Sequence, residues 1–361
     1  MRMLKFVVTP LYALAVLIGS AFAEGTYPAP VDGDFMVKDF TFASGETIDE
    51  LRIHYRTIGT LKRDASGRAA NAVLITHGTT GSGGSFLSEN FADVAFVPGG
   101  VLDTEEYFII LPDGIGHGKS SKPSDGLRMG FPKYNYDDMV RAQYLLLTQG
   151  LGVDHLRLAM GTSMGGMHSW VWGYTYPEFM DALMPLASLP VEIAGRNRMT
   201  RKMIIDAIMA DPAWDDGNYE EKPMLGLTAA TYPLIFMVSS PLQYQLRAPT
   251  REASEDYLQS LVDRFTGYLD PNDTIYAFDA SRDYNPAPHL SKITAPLLAI
   301  NSADDQVNPP EQMILETEII KVPNGRAIVL PITSETVGHG THSRPATWGG
   351  HLRALLEATE K

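Results

Sequence analysis

Four short apolar runs constrain this chain more than any other feature. AVLIT (72–76), YFIIL (107–111), LRLAM (156–160) and ALMPLA (182–187) each read as a buried strand. Stretches with helical spacing separate the later runs, from Tyr136 to Gln149 and from Gly166 to Tyr176. Parallel strands need long crossovers, and helices laid on both faces explain strands that are apolar on both sides. The pattern therefore predicts an α/β fold with a mostly parallel central sheet. Upstream, FMVKDFTF (35–42) and LRIHYRTIG (51–59) flank the turn ASGETID and predict a hairpin. The rhythm lapses over residues 191–290, which look helical and are broken by prolines. It resumes with PLLAIN (296–301), AIVLPI (327–332) and a closing helix from Trp348 to Thr359. A helical insertion of this size reads as a cap or lid, so the core is expected over 24–190 and 291–361 and the cap over 191–290.

The richest chemical signal follows the third run directly. Gly161-Thr162-Ser163-Met164-Gly165-Gly166 joins a strand to a helix, the context in which a G-x-S-x-G sequence presents a serine on a sharp turn. The glycines keep bulk away from that turn. The helix start beyond it offers unpaired N–H groups where negative charge develops. A serine needs a base, and the base an orienting carboxylate. On such sheets the acid and then the histidine follow the serine along the chain. After PLLAIN come Asp304 and Asp305, and after AIVLPI come His339 and His342, so spacing leaves two candidates for each role. His54, His77, His117, His155, His168, His289 and His351 lie at positions that fit structural or surface roles better. An oxyanion needs backbone donors, expected at Met164 and, just past AVLIT, at Thr79 within His77-Gly78-Thr79-Thr80-Gly81.

Composition removes several classes of function. The chain has no cysteine, which excludes disulfides, Cys-ligated zinc, iron–sulfur clusters and a thiolate nucleophile. A formal charge of −14 argues against a nucleic-acid partner. Gly114 to Ser120 resembles a phosphate loop, but the spacing would need glycine where Asp113 stands. No metal or organic cofactor is called for. Residues 1–23 have the layout of a secretory signal peptide. Arg2 and Lys5 precede the apolar run Phe6 to Ile18, and Ala21-Phe22-Ala23 forms an A-x-A cleavage site. That run is shorter than the roughly 20 residues of a membrane span and contains Pro10. Cleavage would take the formal charge from −14 to −16. The expectation is an exported, periplasmic or secreted protein with no stable membrane insertion.

Together these residues resemble α/β-hydrolase-fold proteins of the homoserine O-acetyltransferase type, from about residue 35 to 355. FASGETIDELRIHYRTIGTL and NAVLITHGTTG look like that family's opening strands and oxyanion loop. GTSMGGMHSWVWGYTYPEFMDALMPLAS looks like its nucleophile region, and IIDAIMADPAWDDGNY like part of its cap. The resemblance implies Asp305, within Asp305-Gln306-Val307-Asn308-Pro309, as the acid and His339, after Gly338, as the base. It also implies a homodimer. The chain departs from the family where Gly226-Leu227-Thr228-Ala229-Ala230 leads into Thr231 in place of a basic residue suited to a carboxylate. Asp113 to Pro123 is closer to ordinary esterases, and export would separate the protein from acetyl-coenzyme A.

The sequence thus reads first as an exported serine hydrolase of the esterase kind, acting on a small ester or acyl compound through Ser163, His339 and Asp305, with Thr79 and Met164 at the oxyanion. An acyltransferase of the resembled type would use the same residues and differ in what the cap admits. A non-catalytic binding protein on the same fold is a third reading, at odds with the ordered Ser, Asp and His. In the cap, Tyr232 and Met237 are candidates to line an acyl pocket with Phe236 and Tyr244. Their spacing also suits plain helix packing.

Overall fold

A computed structural model describes residues 27–360, so the leader over 1–23 lies outside the described residues. The chain opens with β1 (Val31–Thr41) and β2 (Thr47–Ile58), an antiparallel pair. Both run several residues beyond the apolar cores visible in the sequence. Then come β3 (Ala72–Thr76), α1 (Glu89–Ala95), β4 (Phe108–Pro112), α2 (Tyr136–Leu145), β5 (Leu158–Thr162), α3 (Met164–Thr175) and β6 (Leu183–Leu186). After β6 the chain passes through α4 (Gly195–Met209), α5 (Met224–Met237), α6 (Pro241–Arg247), α7 (Arg251–Tyr268) and α8 (Pro271–Asp279). It returns to the sheet with β7 (Leu297–Ser302), α9 (Ile314–Glu318), β8 (Gly325–Leu330) and α10 (Pro345–Ala358).

The eight strands lie in the order β1-β2-β4-β3-β5-β6-β7-β8. β2 pairs antiparallel with both β1 and β4, so it alone of the eight strands runs against the rest, and every pair from β4 to β8 is parallel. β3 and β5 are buried along their whole length, as expected of strands covered on both faces. Their side chains alternate between two cores. Leu74 joins α2 and α3 through Met139, Val140, Trp170 and Trp172. Val73 and Ile75 join α1 and α10 through Phe91, Ala92, Trp348 and Leu352. The helices between β6 and β7 hold a third core of their own, built from Ile204, Leu227, Leu234, Leu261, Phe265 and Phe278. A helix spacing that extends to Gln149 in the sequence is interrupted here, because Leu146–Gly150 forms a π-helical turn after α2.

Strand order reverses around β3. It has β4 on one side and β5 on the other, so the loops after β3 and β5 diverge and open a crevice at their carboxyl ends. The two strands are held close at that end. Thr76 Oγ1 donates to Gly165 O at 3.0 Å and to Met160 O at 3.3 Å. A Cβ on Gly165 would lie 1.9 Å from Thr76 O, and one on Gly161 would lie 2.2 Å from Gly165 O. Both clashes are with backbone, which cannot swing aside as a side chain can.

Gly165→Ala is expected to destabilise the fold by at least the roughly 1–3 kcal/mol of an overpacked core. Urea unfolding of the variant against the parent measures this, and an unchanged midpoint would contradict the contact.

Candidate active site

Ser163 occupies the turn between β5 and α3 with φ 55° and ψ −112°, a backbone conformation that side-chain-bearing residues rarely adopt. The turn is held in place because Ser163 N–H donates to Leu186 O at 2.9 Å, on the neighbouring strand β6. Met164, fully buried, is the first residue of α3, so its N–H belongs to the first helical turn and has no intrahelical acceptor.

The loops after β7 and β8 bring the partners. His339 Nε2 lies 2.8 Å from Ser163 Oγ, and His339 Nδ1 lies 2.9 Å and 3.1 Å from the two oxygens of Asp305. Spacing left each of these roles with two candidates, and the tertiary structure separates them. Asp304 turns away to accept from Ser240 Oγ at 3.1 Å and from Gly338 N–H at 2.8 Å, and also pairs with the Ser302 hydroxyl. It thus braces the loop that carries His339. His342 packs perpendicular to His339 with ring centroids 5.2 Å apart, and the imidazole that bonds Asp305 is that of His339. Burial, reinforced by the neighbouring His339, pushes the His342 imidazole down to about 3. Asp305 is completely buried. Burial alone would push its carboxyl up, but His339 and the donors of Asn308 together hold it below the usual carboxylate value. Val307 N–H and Asn308 N–H complete its shell at 2.7 Å and 3.1 Å. An ionised Asp305 fixes the proton of neutral His339 on Nδ1 and leaves Nε2 free to accept from Ser163.

The His77–Gly81 loop lies against the serine, for a Cβ on Gly78 would sit 3.5 Å from Ser163 Cβ. Thr79 lines the same cavity as Ser163 and His339. That cavity has a volume of about 430 Å³ and is roofed by Leu234, Met237 and Phe265 of the helical insertion. A second lobe of about 210 Å³ meets it at Ser163 and runs along Leu189, Ile193 and Pro309. Met237, one of the two residues proposed from sequence for an acyl pocket, lines the cavity. Tyr232 does not and is corrected here. It is half exposed in an outer groove with Phe236 and Tyr244, which Met237 also borders. Helical periodicity could not tell which face of α5 turns inward, because that helix is apolar all round.

Two buried groups near the serine escaped the sequence reading. Arg201, on α4, lines both lobes and is only 3% exposed. Its Nε donates to Asn197 Oδ1 at 2.9 Å and its Nη1 to Ser281 Oγ at 3.2 Å, and the guanidinium lies 5.6 Å from the Phe278 ring centroid. Among the described residues no carboxylate pairs with it, so a buried cation faces the cavity without a counter-ion. No motif marks an arginine so far along the chain from Ser163. The second is His117, in the loop after β4, which the sequence reading set aside as structural. Thr231 lies almost wholly buried in α5 with its hydroxyl turned back to Thr228 O at 2.7 Å. Among the described residues no cluster of three His, Asp or Glu side chains forms a metal site.

Over residues 71–342 the chain matches the alpha/beta hydrolase fold family. Homoserine O-acetyltransferase of Moorella thermoacetica is 32% identical over 357 residues, which cover 87% of this chain and 89% of that protein. The protein of the same name from Methanohalophilus mahii is 32% identical over 305 residues, covering 76% of this chain, and the match spans 61% of that relative's length. Among solved structures, homoserine O-acetyltransferase from Bacillus anthracis superposes with a TM-score of 0.80 at 24% identity, over 91% of this chain and 98% of that one. The acetyl esterase MekB superposes at 0.79 and 22% identity, over 91% and 97%. At such identities the superpositions speak for the fold, while the sequence matches speak for descent. This chain belongs to the α/β-hydrolase family, among relatives that carry the name homoserine O-acetyltransferase.

Proposed function

We propose that the protein is a serine acyltransferase that forms an acyl-Ser163 intermediate and passes the acyl group to the hydroxyl of a carboxylate-bearing acceptor such as homoserine. The observation that carries this reading is the hydrogen-bonded chain from Ser163 through His339 to Asp305, opening into a cavity walled by the unpaired Arg201. In the first half-reaction Ser163 Oγ bonds to the acyl carbon while His339 Nε2 takes its proton. The N–H groups of Thr79 and Met164 meet the negative oxygen. The bond to the leaving group breaks, and that group departs with the proton from His339. In the second half the acceptor hydroxyl gives its proton to His339 and attacks the acyl carbon. Ser163 leaves as the alkoxide and is reprotonated by His339. Arg201 would receive the acceptor's carboxylate, a pairing that also supplies the missing counter-ion of a buried cation. The names of the sequence relatives favour this reading over hydrolysis.

Water in place of the alcohol would make the same machinery an esterase, the reading that the sequence alone puts first. Thr231 supports it, since an uncharged residue stands where the resembled family has a basic one and its hydroxyl is spent within its own helix. The leader over 1–23 supports it too. We propose that the mature protein works in the periplasm or outside the cell, and fractionation of expressing cells tests that location.

With acetyl-coenzyme A as donor, free-thiol release is expected to depend on L-homoserine. Release that ignores homoserine, together with turnover of simple esters, would instead establish the hydrolase. Ser163→Ala is expected to abolish either activity with the unfolding midpoint unchanged. Asp305→Asn, which disturbs the tautomer of His339, is expected to lower kcat by roughly 10³–10⁴-fold, as in other triads of this type. Arg201→Met is expected to raise KM for homoserine by about 10- to 100-fold, the range of a charged hydrogen bond, and far more than KM for a neutral aryl acetate. Equal effects on the two substrates would remove Arg201 from acceptor binding.

A further inference from the structure

His117 sits behind the wall of the catalytic cavity and is nearly fully buried. Its two ring nitrogens face two backbone carbonyls, Nδ1 at 2.9 Å from Ile115 O and Nε2 at 2.9 Å from Thr79 O. A carbonyl oxygen only accepts, so the contact to Thr79 is a hydrogen bond when Nε2 carries the proton. His77 lies against this ring with centroids 5.0 Å apart and makes the reverse connection. Its Nε2 accepts from Gly114 N–H at 2.9 Å, which leaves the proton on Nδ1, 2.8 Å from Gly78 O. A neutral His117 ring donates to only one of its two carbonyls; in its Nε2–H tautomer each histidine bonds the loop that carries the other, and the loops after β3 and β4 are joined twice.

The peptide geometry gives this cross-link a consequence. Gly78 C=O and Thr79 N–H belong to one planar unit and point in opposite directions. Thr79 C=O belongs to the next unit. His77 holds the first carbonyl and, through Nε2–H, His117 holds the second, so both peptide planes flanking Thr79 are pinned. Asp113 anchors the second loop in turn. Its carboxylate accepts from Lys119 N–H at 2.9 Å, from Gly83 N–H at 2.8 Å and from Arg56 Nη1 at 3.0 Å.

We propose that His117 is a positioning residue for the oxyanion site, holding Thr79 through Nε2–H so that the Thr79 N–H is aimed before substrate arrives. The inference rests on the proposed acyl-enzyme chemistry and adds to it a residue that touches neither substrate nor Ser163. An aimed donor stabilises the transition state more than the bound substrate, so its loss appears in kcat and not in KM. A donor free to tilt costs up to about 10²-fold in rate.

The test compares the parent with His117→Leu, His117→Gln and His117→Asn on an aryl acetate, alongside affinity for an aryl boronic acid as an analogue of the tetrahedral state. His117→Leu is expected to lower kcat by roughly 10- to 100-fold with little change in KM, and to weaken the boronic acid by the same factor. His117→Gln, which keeps an N–H within reach of Thr79 O, is expected to recover most of both. His117→Asn, a methylene shorter, is expected not to. This last pair decides the matter if the leucine variant fails to fold. A kcat unchanged in His117→Leu, a change confined to KM, or equal losses in the glutamine and asparagine variants would overturn the proposal. If the parent itself shows no acetyl group on Ser163 by mass spectrometry, the acyl-enzyme reading fails first. If the parent is acetylated and His117→Leu turns over equally fast, only the role of His117 falls.

Discussion

Thr76 and Gly165 touch backbone to backbone, and the arrangement of the site follows from that contact. Thr76 ends β3 and Gly165 lies in the first turn of α3, so the contact sets the loop after β3 beside the turn after β5. One loop carries Thr79 and the other Ser163 and Met164. A wider separation would leave the serine facing open crevice with a donor on one side only. The contact is possible because β3 and β5 are adjacent parallel strands whose following segments leave on opposite faces of the sheet, and because position 165 has no side chain. Strain in the Ser163 backbone is then sustained by neighbours that have no room to move, notably the N–H bond to Leu186 on β6.

The buried charges around the serine are handled in different ways, and the contrast separates scaffold from site. Asp113 meets two backbone N–H groups and Arg56, and ties the loops that carry them together. Asp305 meets the donors of Val307 and Asn308 as well as His339, so its ionised form is stable in a place without water. Among the described residues Arg201 has neutral partners only. A buried cation without an anion is costly, and a ligand that brought an anion would relieve that cost. The two lobes that meet at Ser163 both include this arginine.

Much of the fold was legible along the chain, for reasons that can be named. Strands buried on both faces must be apolar throughout, so AVLIT and the residues around LRLAM announced themselves. The G-x-S-x-G turn was recognisable because its glycines answer local clashes. Features set by contact between distant segments were not legible. The hairpin strands run past their apolar cores because pairing between β1 and β2 continues through polar residues such as Lys38 and Glu50. The end of α2 hides a π-helical turn that helical spacing does not register. Tyr232 and Met237 share one apolar helix, and only packing against α4 and α7 reveals which of them faces Ser163.

The sequence by itself determined the order of the chemistry, a serine on its turn, then carboxylates, then histidines, because that order is a property of the chain and of the sheet it builds. It also determined the class of fold, since periodicity reports burial residue by residue. Spacing alone left Asp304 beside Asp305 and His339 beside His342; the family resemblance pointed to Asp305 and His339, and the tertiary structure brings those two together at Ser163. Neighbours in sequence, or residues one helical turn apart, point in directions that depend on the loop that carries them. The same holds for Arg201 and His117. What distinguishes these two is neutral partners alone among the described residues in one case and a carbonyl 2.9 Å away in the other. Both are relations through space between segments that sequence spacing does not connect.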